Sequence, residues 1–309
     1  MGSVFRLKHL AFAYAAALTA TIALLAGTGE VRANAVTPRQ VAEKFDHVLR
    51  KSHKTVVTKF RLSTCRYAAA GEGVRCAEKP RVSVLENVLK FYGDDIRSAA
   101  IVLEPARDKG IGTLNYEYYD VRKDNAAWIY LSALGKVKRI ISNSESDDSG
   151  SFFGSEFYIE DLDYRKLNDY SYKLLREENV RVHEKAGPTN RPAWVLEWTP
   201  TAERARKSKY GRVVTWIDRE RHILLREQYF NHDGQLFKER TIRSLELIDK
   251  HWMPRQIMMN NLQTKRVSTI DRELIVFDRD VQDEFLTQRV LTDQAFRERH
   301  LGELRKAWK

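Results

Sequence analysis

The sequence predicts a mainly β fold: one antiparallel sheet preceded by a single amphipathic helix. Three observations predict it: apolar residues at helical spacing near residue 40, alternation with a period of two through most of the following chain, and turn residues between the alternating runs. Because strand follows strand with no long helix between them, the strands are expected to pair antiparallel.

The first 35 residues have the three-part layout of a secretory signal peptide. Arg6 and Lys8 precede an uncharged run from Leu10 to Ala26, and small residues end the segment at Ala35. An uncleaved membrane anchor is the alternative, because the run approaches the length that spans a bilayer. Its many alanines make it a weak anchor, so we expect Sec-dependent export, cleavage near Ala35 and a periplasmic protein of one domain, residues 36–309.

The helix is predicted from Pro38 to Arg50. Thr37 is a capping residue, proline follows at the first helical position, and Gln40 stands where a capping box needs it. Four apolar residues then recur on one side of the helix: Val41, Phe45, Val48 and Leu49. This apolar stripe has to be buried, and the rest of the chain offers a sheet for that purpose.

The alternating runs predict thirteen strands, separated by turns such as Lys109-Gly110, Gly187-Pro188 and Asp233-Gly234. They are Thr55–Ser63, Arg81–Tyr92, Ser98–Glu104, Gly112–Val121, Ala126–Leu131, Val137–Ser142, Ser171–His183, Ala193–Thr199, Gly211–Asp218, His222–Phe230, Gln235–Ile248, Trp252–Asn260 and Ser268–Phe277. Residues 142–151 read as a flexible acidic loop, and residues 163–169 as a short helical turn. The end, residues 293–309, reads as a helical tail that is either packed or frayed.

The two cysteines, Cys65 and Cys76, flank a stretch that reads as a loop, residues 66–75. In an oxidising compartment two nearby cysteines usually form a disulfide. A redox or metal pair is the competing interpretation, but it lacks both Cys-x-x-Cys spacing and nearby histidines. We therefore expect a disulfide that staples the loop.

The net charge of +11 suits an anionic counterpart. For an exported protein this counterpart is anionic lipid rather than nucleic acid; the alternative is that lysine and arginine simply solvate the outer face of the sheet. No nucleophile elbow, zinc-binding helix or phosphate-binding glycine loop occurs. Glu160 and Asp161 are a carboxylate pair, but as strand neighbours they would point to opposite faces. The sequence therefore predicts no enzyme, no metal site and no cofactor.

Large apolar side chains are spread across the predicted strands, and most are expected to fill a core. One short helix cannot cover the whole apolar face of an open sheet, so the sheet either curls on itself or leaves a cavity. Aromatic and methionine side chains suit ligands of loose shape such as acyl chains. The candidate lining residues are Phe45, Phe60, Trp128, Tyr130, Phe153, Phe157, Trp216, Phe230, Trp252 and Met258.

Three segments together resemble the LolA-like family of outer-membrane lipoprotein-sorting proteins. The Trp128–Leu134 segment, followed by Arg139-Ile140, resembles the family's W-x-Y-L-P-A-L…R-I motif. The Phe153–Leu162 segment is similar to its F-x-G-[ST]-D-F-x-Y-E-D motif, and Trp252-Met253-Pro254 begins a region similar to its closing strands. The resemblance extends from about Thr55 to Leu291.

The resemblance implies a curved half-barrel whose concave face is covered by short lid helices, with the N-terminal helix as the candidate lid. It also implies a periplasmic carrier that binds lipid or lipoprotein acyl chains and moves them between membranes. The implied partners are an inner-membrane RND-type exporter and an outer-membrane acceptor. Two alternatives stay open: a lipid-sensing module that regulates a membrane protein, and a scaffold whose sheet is simply filled.

Overall fold

The computed structural model describes residues 36–70, 73–140 and 150–306. The predicted signal peptide, its cleavage site and most of the predicted acidic loop lie outside these residues. Within them, residues 36–306 belong to one compact unit. The helices are α1 (Pro38–Lys51), α2 (Ile159–Leu162), α3 (Ala202–Ala205), α4 (Arg289–Thr292) and α5 (Gln294–Arg305).

Within the described residues fourteen strands form one sheet: the thirteen that the alternation predicts and a short one, Gly73–Cys76, in the expected loop between the cysteines. They are β1 (Thr55–Ala70), β2 (Gly73–Cys76), β3 (Arg81–Tyr92), β4 (Asp95–Glu104), β5 (Gly112–Glu117), β6 (Ala126–Leu131), β7 (Lys136–Ile140), β8 (Tyr170–Glu184), β9 (Gly187–Pro200), β10 (Arg212–Asp218), β11 (Leu224–Phe230), β12 (Leu236–Ile248), β13 (His251–Asn261) and β14 (Arg266–Phe277). Their order is β11-β10-β9-β8-β12-β13-β14-β1-β3-β4-β5-β6-β7, with β2 paired to β1 and β11 also paired to β12. The pairing is antiparallel apart from one parallel bridge between β8 and β12, which confirms the predicted mainly antiparallel β fold.

The sheet curves around its concave face, where one buried cluster joins side chains from strands far apart in the sheet. Phe60 of β1, Val102 of β4 and Trp216 of β10 all belong to this cluster. Helix α1 covers part of the face and buries Val41 and Phe45 in the same cluster. The observed architecture is therefore the half-barrel with an N-terminal amphipathic helix that the sequence predicts.

The capping box of α1 forms as expected. The Thr37 hydroxyl accepts a hydrogen bond from the Gln40 amide at 3.2 Å, and the Gln40 side chain accepts one from the Thr37 amide at 2.9 Å. At the other end, the buried Arg50 guanidinium donates to the carbonyl oxygens of Asp94 at 2.8 Å and Tyr164 at 3.1 Å. Both ends of α1 are thus fixed by hydrogen bonds.

The convex face carries the C-terminal helices. Phe296 and Leu301 of α5 pack with Val88 and Leu114 of the sheet. Buried Arg297 donates to two backbone carbonyls of α4, that of Val290 at 3.0 Å and that of Leu291 at 3.2 Å. Of the two interpretations of the tail, the packed helix is therefore observed up to residue 306.

Three local predictions are wrong. The strand expected to reach Val121 ends at Glu117, because the Asn125 side chain accepts a hydrogen bond from the Tyr118 amide at 3.1 Å and closes a turn. Glu160 and Asp161 lie in α2 rather than in a strand, where Glu160 accepts a hydrogen bond from the Ser208 hydroxyl at 2.8 Å and Asp161 one from the Tyr210 hydroxyl at 2.7 Å. The expected loop between the cysteines is largely the β1–β2 hairpin, and the Cys65–Cys76 disulfide joins its strands as predicted.

Within the described part of the chain, no helix is long and apolar enough to cross a membrane.

Candidate functional site

A cavity of about 470 Å³ lies between α1 and the concave face of the sheet. This volume is within the range of roughly 300–1,000 Å³ that is typical of small-molecule sites. One wall is α1 with the segment that follows α2, and the other is formed by residues of β1, β3, β9, β11, β12, β13 and β14.

The greater part of the cavity surface is apolar. Helix α1 contributes Phe45, Val48 and Leu49, which belong to the predicted apolar stripe. The sheet and its connections contribute the opposing apolar side chains Val56, Leu89, Ile223, Leu224, Ile242, Leu245, Trp252, Met253 and Ile257. Several of these side chains are only half-buried, because part of their surface faces the cavity. An acyl chain that covered this surface would gain ~25 cal/mol for each Å² of apolar area removed from water.

A buried ionic network forms the inner end of the cavity around Glu227. Its carboxylate accepts hydrogen bonds from Arg165 at 2.6 Å, Thr215 at 3.1 Å and Tyr229 at 2.5 Å. A second guanidinium, that of Arg240, lies 3.3 Å away. Burial alone would raise the pKa of Glu227, but the two arginines and the hydrogen bonds hold it at about 2. Glu227 is therefore ionised at any physiological pH.

A second group of buried carboxyls lies beside the cavity, where the segment after α2 meets the sheet. Burial raises the pKa of Asp163 to about 6, although Asn125 donates a hydrogen bond to its carboxylate at 3.1 Å. Burial and the nearby Asp163 charge also raise the pKa of Glu117, which accepts a hydrogen bond from the Tyr164 amide at 2.8 Å. Both carboxyl groups are thus harder to ionise than exposed ones.

The rim of the cavity combines aromatic and basic side chains. The Arg221 guanidinium lies 3.5 Å from the ring centre of Trp252 and is 2.7 Å from the Glu184 carboxylate. The rings of His53 and His251 lie 5.4 Å apart between their centres. Burial, together with the neighbouring His251, lowers the pKa of His53 to about 4, so His53 is neutral at pH 7.

The structure brings only two of the predicted lining residues to the cavity, Phe45 and Trp252. Phe60, Phe157 and Trp216 are buried in the concave-face core, and Phe153 and Phe230 pack against that core. Trp128 and Tyr130 pack on the convex face against the cluster that holds the C-terminal helices. Met258 alternates with Ile257, which lines the cavity, and Met259, which is buried in the same core; it therefore belongs to the other face.

The apolar lining residues that sequence reasoning missed are mostly aliphatic. Ile242, Leu245 and Ile257 lie in strands that the sequence predicts. They were not candidates for the lining because only aromatic and methionine side chains were chosen. Val48 and Leu49 were also missed, and the signal that could have found them is the α1 stripe, since a ligand beneath the helix must contact it.

The Phe153–Leu162 segment contributes to the cavity mainly by fixing its inner wall. The Glu156 carboxylate accepts hydrogen bonds from Arg266 at 2.8 Å and Asn261 at 2.7 Å, while its amide donates to the Ser268 hydroxyl at 2.9 Å. Asp161 accepts from the Tyr210 hydroxyl at 2.7 Å. These acidic residues therefore fix the segment to the sheet. Among the described residues, no group of three or more histidine, cysteine, aspartate or glutamate side chains could hold a metal ion.

Comparisons with known proteins agree with this architecture. The DUF1329-like family model, whose description is "Uncharacterized protein", matches residues 94–293. The chain belongs to this DUF1329-like family. The match contains the Phe153–Leu162 segment and most of the sheet wall of the cavity, while α1 precedes it.

The fold is shared with solved LolA-like structures, which confirms the fold that the predicted resemblance implies. A DUF1329 family protein from Desulfovibrio piger is 23% identical, with a TM-score of 0.70 over 82% of this chain and 97% of that one. A putative outer membrane lipoprotein-sorting protein domain from Vibrio parahaemolyticus is 22% identical, with a TM-score of 0.70 over 82% and 98%. A LolA superfamily protein from Nitrosomonas europaea is 20% identical, with a TM-score of 0.58 over 82% and 98%. No curated protein matches the chain.

Proposed function

We propose that this DUF1329-like protein is a periplasmic, non-enzymatic carrier that binds acyl chains of lipids or lipoproteins and moves them between envelope membranes. The observation that carries the proposal is the apolar cavity of about 470 Å³ beneath α1, in a fold shared with proteins described as lipoprotein-sorting. An inner-membrane RND-type exporter and an outer-membrane acceptor are the proposed partners.

The cavity surface supports binding by burial rather than by recognition of a particular chain. Each buried methylene contributes ~0.8 kcal/mol, so a long acyl chain needs few polar contacts to bind tightly. Half-buried side chains such as Leu49 and Leu224 have apolar surface free for this contact.

A cavity-filling substitution tests the proposal directly. Leu49→Trp places a larger side chain in the space beneath α1. The matched control, Leu134→Trp, makes the same change at a side chain that is 58% exposed and lies outside the cavity, in the connection between β6 and β7. We expect Leu49→Trp to lower the affinity for a fluorescent fatty acid at least tenfold and Leu134→Trp to leave it unchanged. Equal affinities in the two variants would contradict binding in this cavity.

Carrier and sensor activities differ in what the loaded protein does. A carrier speeds the transfer of a labelled lipid from donor vesicles to acceptor vesicles in proportion to its concentration. A lipid-sensing module binds the same lipid without speeding transfer. The absence of any transfer by a protein that binds lipid would therefore replace the carrier proposal with the sensor alternative.

The lid role of α1 is part of the proposal. Helix α1 covers the cavity and is fixed at both ends, by Arg39 through the Leu167 carbonyl at 3.1 Å and by Arg50 through the Asp94 carbonyl. Release of a chain requires some of these hydrogen bonds to open. Amide hydrogen exchange in α1 should be slower in the lipid-loaded protein than in the free one; identical exchange would show that α1 is a fixed wall.

A further inference from the structure

One arginine of the cavity has no carboxylate partner among the described residues. Arg272 of β14 lines the cavity, and its guanidinium donates a single hydrogen bond to protein, to the Pro254 carbonyl at 3.0 Å. Burial lowers the pKa of Arg272 to about 10, and the charges of Arg240 and Arg255 act in the same direction. The side chain is still cationic at pH 7, with most of its N–H groups free for another acceptor.

The other cavity arginines are neutralised within the protein. Arg165 and Arg240 share the Glu227 carboxylate, at 2.6 Å and 3.3 Å. Arg221 is paired with Glu184 at 2.7 Å. Among the arginines that line the cavity, Arg272 is therefore the one without a carboxylate partner in the described residues.

Tyr164 offers a second hydrogen-bond donor beside Arg272. Burial raises the pKa of Tyr164 to about 12, so its hydroxyl keeps its proton at neutral pH. Its ring is 5.7 Å from that of Phe91 and lies under the Arg50 guanidinium, at 5.5 Å from the ring centre. These contacts fix the ring, and the Tyr164 hydroxyl makes no hydrogen bond to another described residue.

Arg272 is partly buried, and a partly buried guanidinium without a counter-ion is unfavourable, because its lost hydration is not repaid by a paired charge. An anion that entered the cavity would repay it and would form charge-assisted hydrogen bonds, which are the strongest that proteins make. Carboxylate and phosphate groups both match the planar donor face of an arginine.

We propose that Arg272, with the Tyr164 hydroxyl beside it, binds the anionic headgroup of an amphiphile whose chain lies against the apolar surface beneath α1. The ligand class is a carboxylate or phosphate with one acyl chain, rather than a neutral lipid. This inference rests on the proposed acyl-chain binding. It adds the chemistry of the headgroup and the orientation of the ligand, with the headgroup at Arg272 and the chain beneath α1.

Three ligands of equal chain length test the inference: hexadecanoate, hexadecyl phosphate and hexadecanol. We expect the wild-type protein to bind at least one of the anions about tenfold or more tightly than the alcohol, as measured by displacement of a fluorescent chain probe. The anion that binds more tightly identifies the headgroup as a carboxylate or a phosphate.

Arg272→Gln should abolish the preference for the anion, because the affinity for the anion falls to that for hexadecanol. Arg255→Gln is the matched control: it removes the same charge from a neighbouring strand, but from an arginine that is paired with Glu246 at 2.6 Å and does not line the cavity. We expect Arg255→Gln to keep the preference. A thermal melt of each variant checks its folding, and the comparison of the three ligands on the wild-type protein tests the inference without any variant.

The outcomes separate the inference from the proposed function. Binding of all three ligands with equal affinity, or a preference that survives in Arg272→Gln, would overturn the headgroup site and leave acyl-chain binding intact. Binding of none of the three would contradict the proposed function itself.

Discussion

Replacing Glu227 by glutamine removes the one negative charge that two buried guanidinium groups share. The carboxylate is 1% exposed and lies 2.6 Å from Arg165 and 3.3 Å from Arg240. The ordinary pKa of 4.5 falls to about 2 in the fold, which corresponds to about 3 kcal/mol of stabilisation at neutral pH. Removal of one partner of a buried ion pair costs ~3–5 kcal/mol in other proteins. We therefore expect Glu227→Gln to lower the free energy of unfolding by about 3 kcal/mol.

Urea denaturation at about pH 7 and about pH 3 measures this loss and its origin. A depressed carboxyl pKa contributes stability that is complete above the unfolded pKa and is lost as pH falls through the folded one. The difference between wild type and Glu227→Gln should therefore be largest at about pH 7 and smaller by roughly half or more at about pH 3.

The control is Glu273→Gln, which removes a carboxylate of β14 that is 37% exposed and paired with Arg61 at 3.0 Å. A surface ion pair of this kind contributes ~0–1 kcal/mol. Equal losses in the two variants, or a Glu227→Gln loss that does not depend on pH, would refute the assignment of Glu227 as the charge that holds the inner end of the cavity together.

Three further predictions concern the Asp163 carboxyl, the disulfide, and the difference between residues of the core and residues that line the cavity. Because the pKa of Asp163 is raised to about 6, its contribution to stability is complete below the unfolded pKa and is lost as pH rises through about 6; urea midpoints between pH 4 and 7 should fall less in Asp163→Asn than in wild type. The double variant Cys65→Ser/Cys76→Ser should lose about 3 kcal/mol, the value for a short closed loop, and should match reduced wild type in the same denaturation assay. Phe157→Ala should lose ~3–5 kcal/mol with unchanged fatty-acid affinity, because Phe157 is buried away from the cavity, whereas Trp252→Ala should lose affinity at a smaller cost in stability.

The strands and the first helix were predictable because they depend on local periodicity. Alternation fixed the strands, and the Thr37 capping box fixed the start of α1. The pairing of β11 with β12 and the packing of α5 on the convex face depend on contacts between distant residues. No pattern in a single sequence shows such long-range contacts. The sequence therefore did not decide whether the C-terminal helix is packed or frayed.

The site was less predictable than the fold. Side-chain size does not show which face of the sheet a residue occupies. The sequence therefore does not distinguish Trp252, which lines the cavity, from Trp128 and Trp216, which do not. The sequence did not predict the charged residues of the cavity, Arg165, Glu227 and Arg272, because arginine and glutamate usually lie on the surface. Their burial follows only from the curvature of the sheet and the position of the segment after α2.

The most direct test of acyl-chain binding is native mass spectrometry of the protein purified without detergent from the cell envelope. The proposal predicts a stoichiometric lipid adduct on the wild-type protein, which organic extraction releases and identifies, and no adduct on Leu49→Trp. A wild-type mass without adduct, unchanged after incubation with envelope lipids, would contradict the proposal and favour a scaffold whose cavity stays empty.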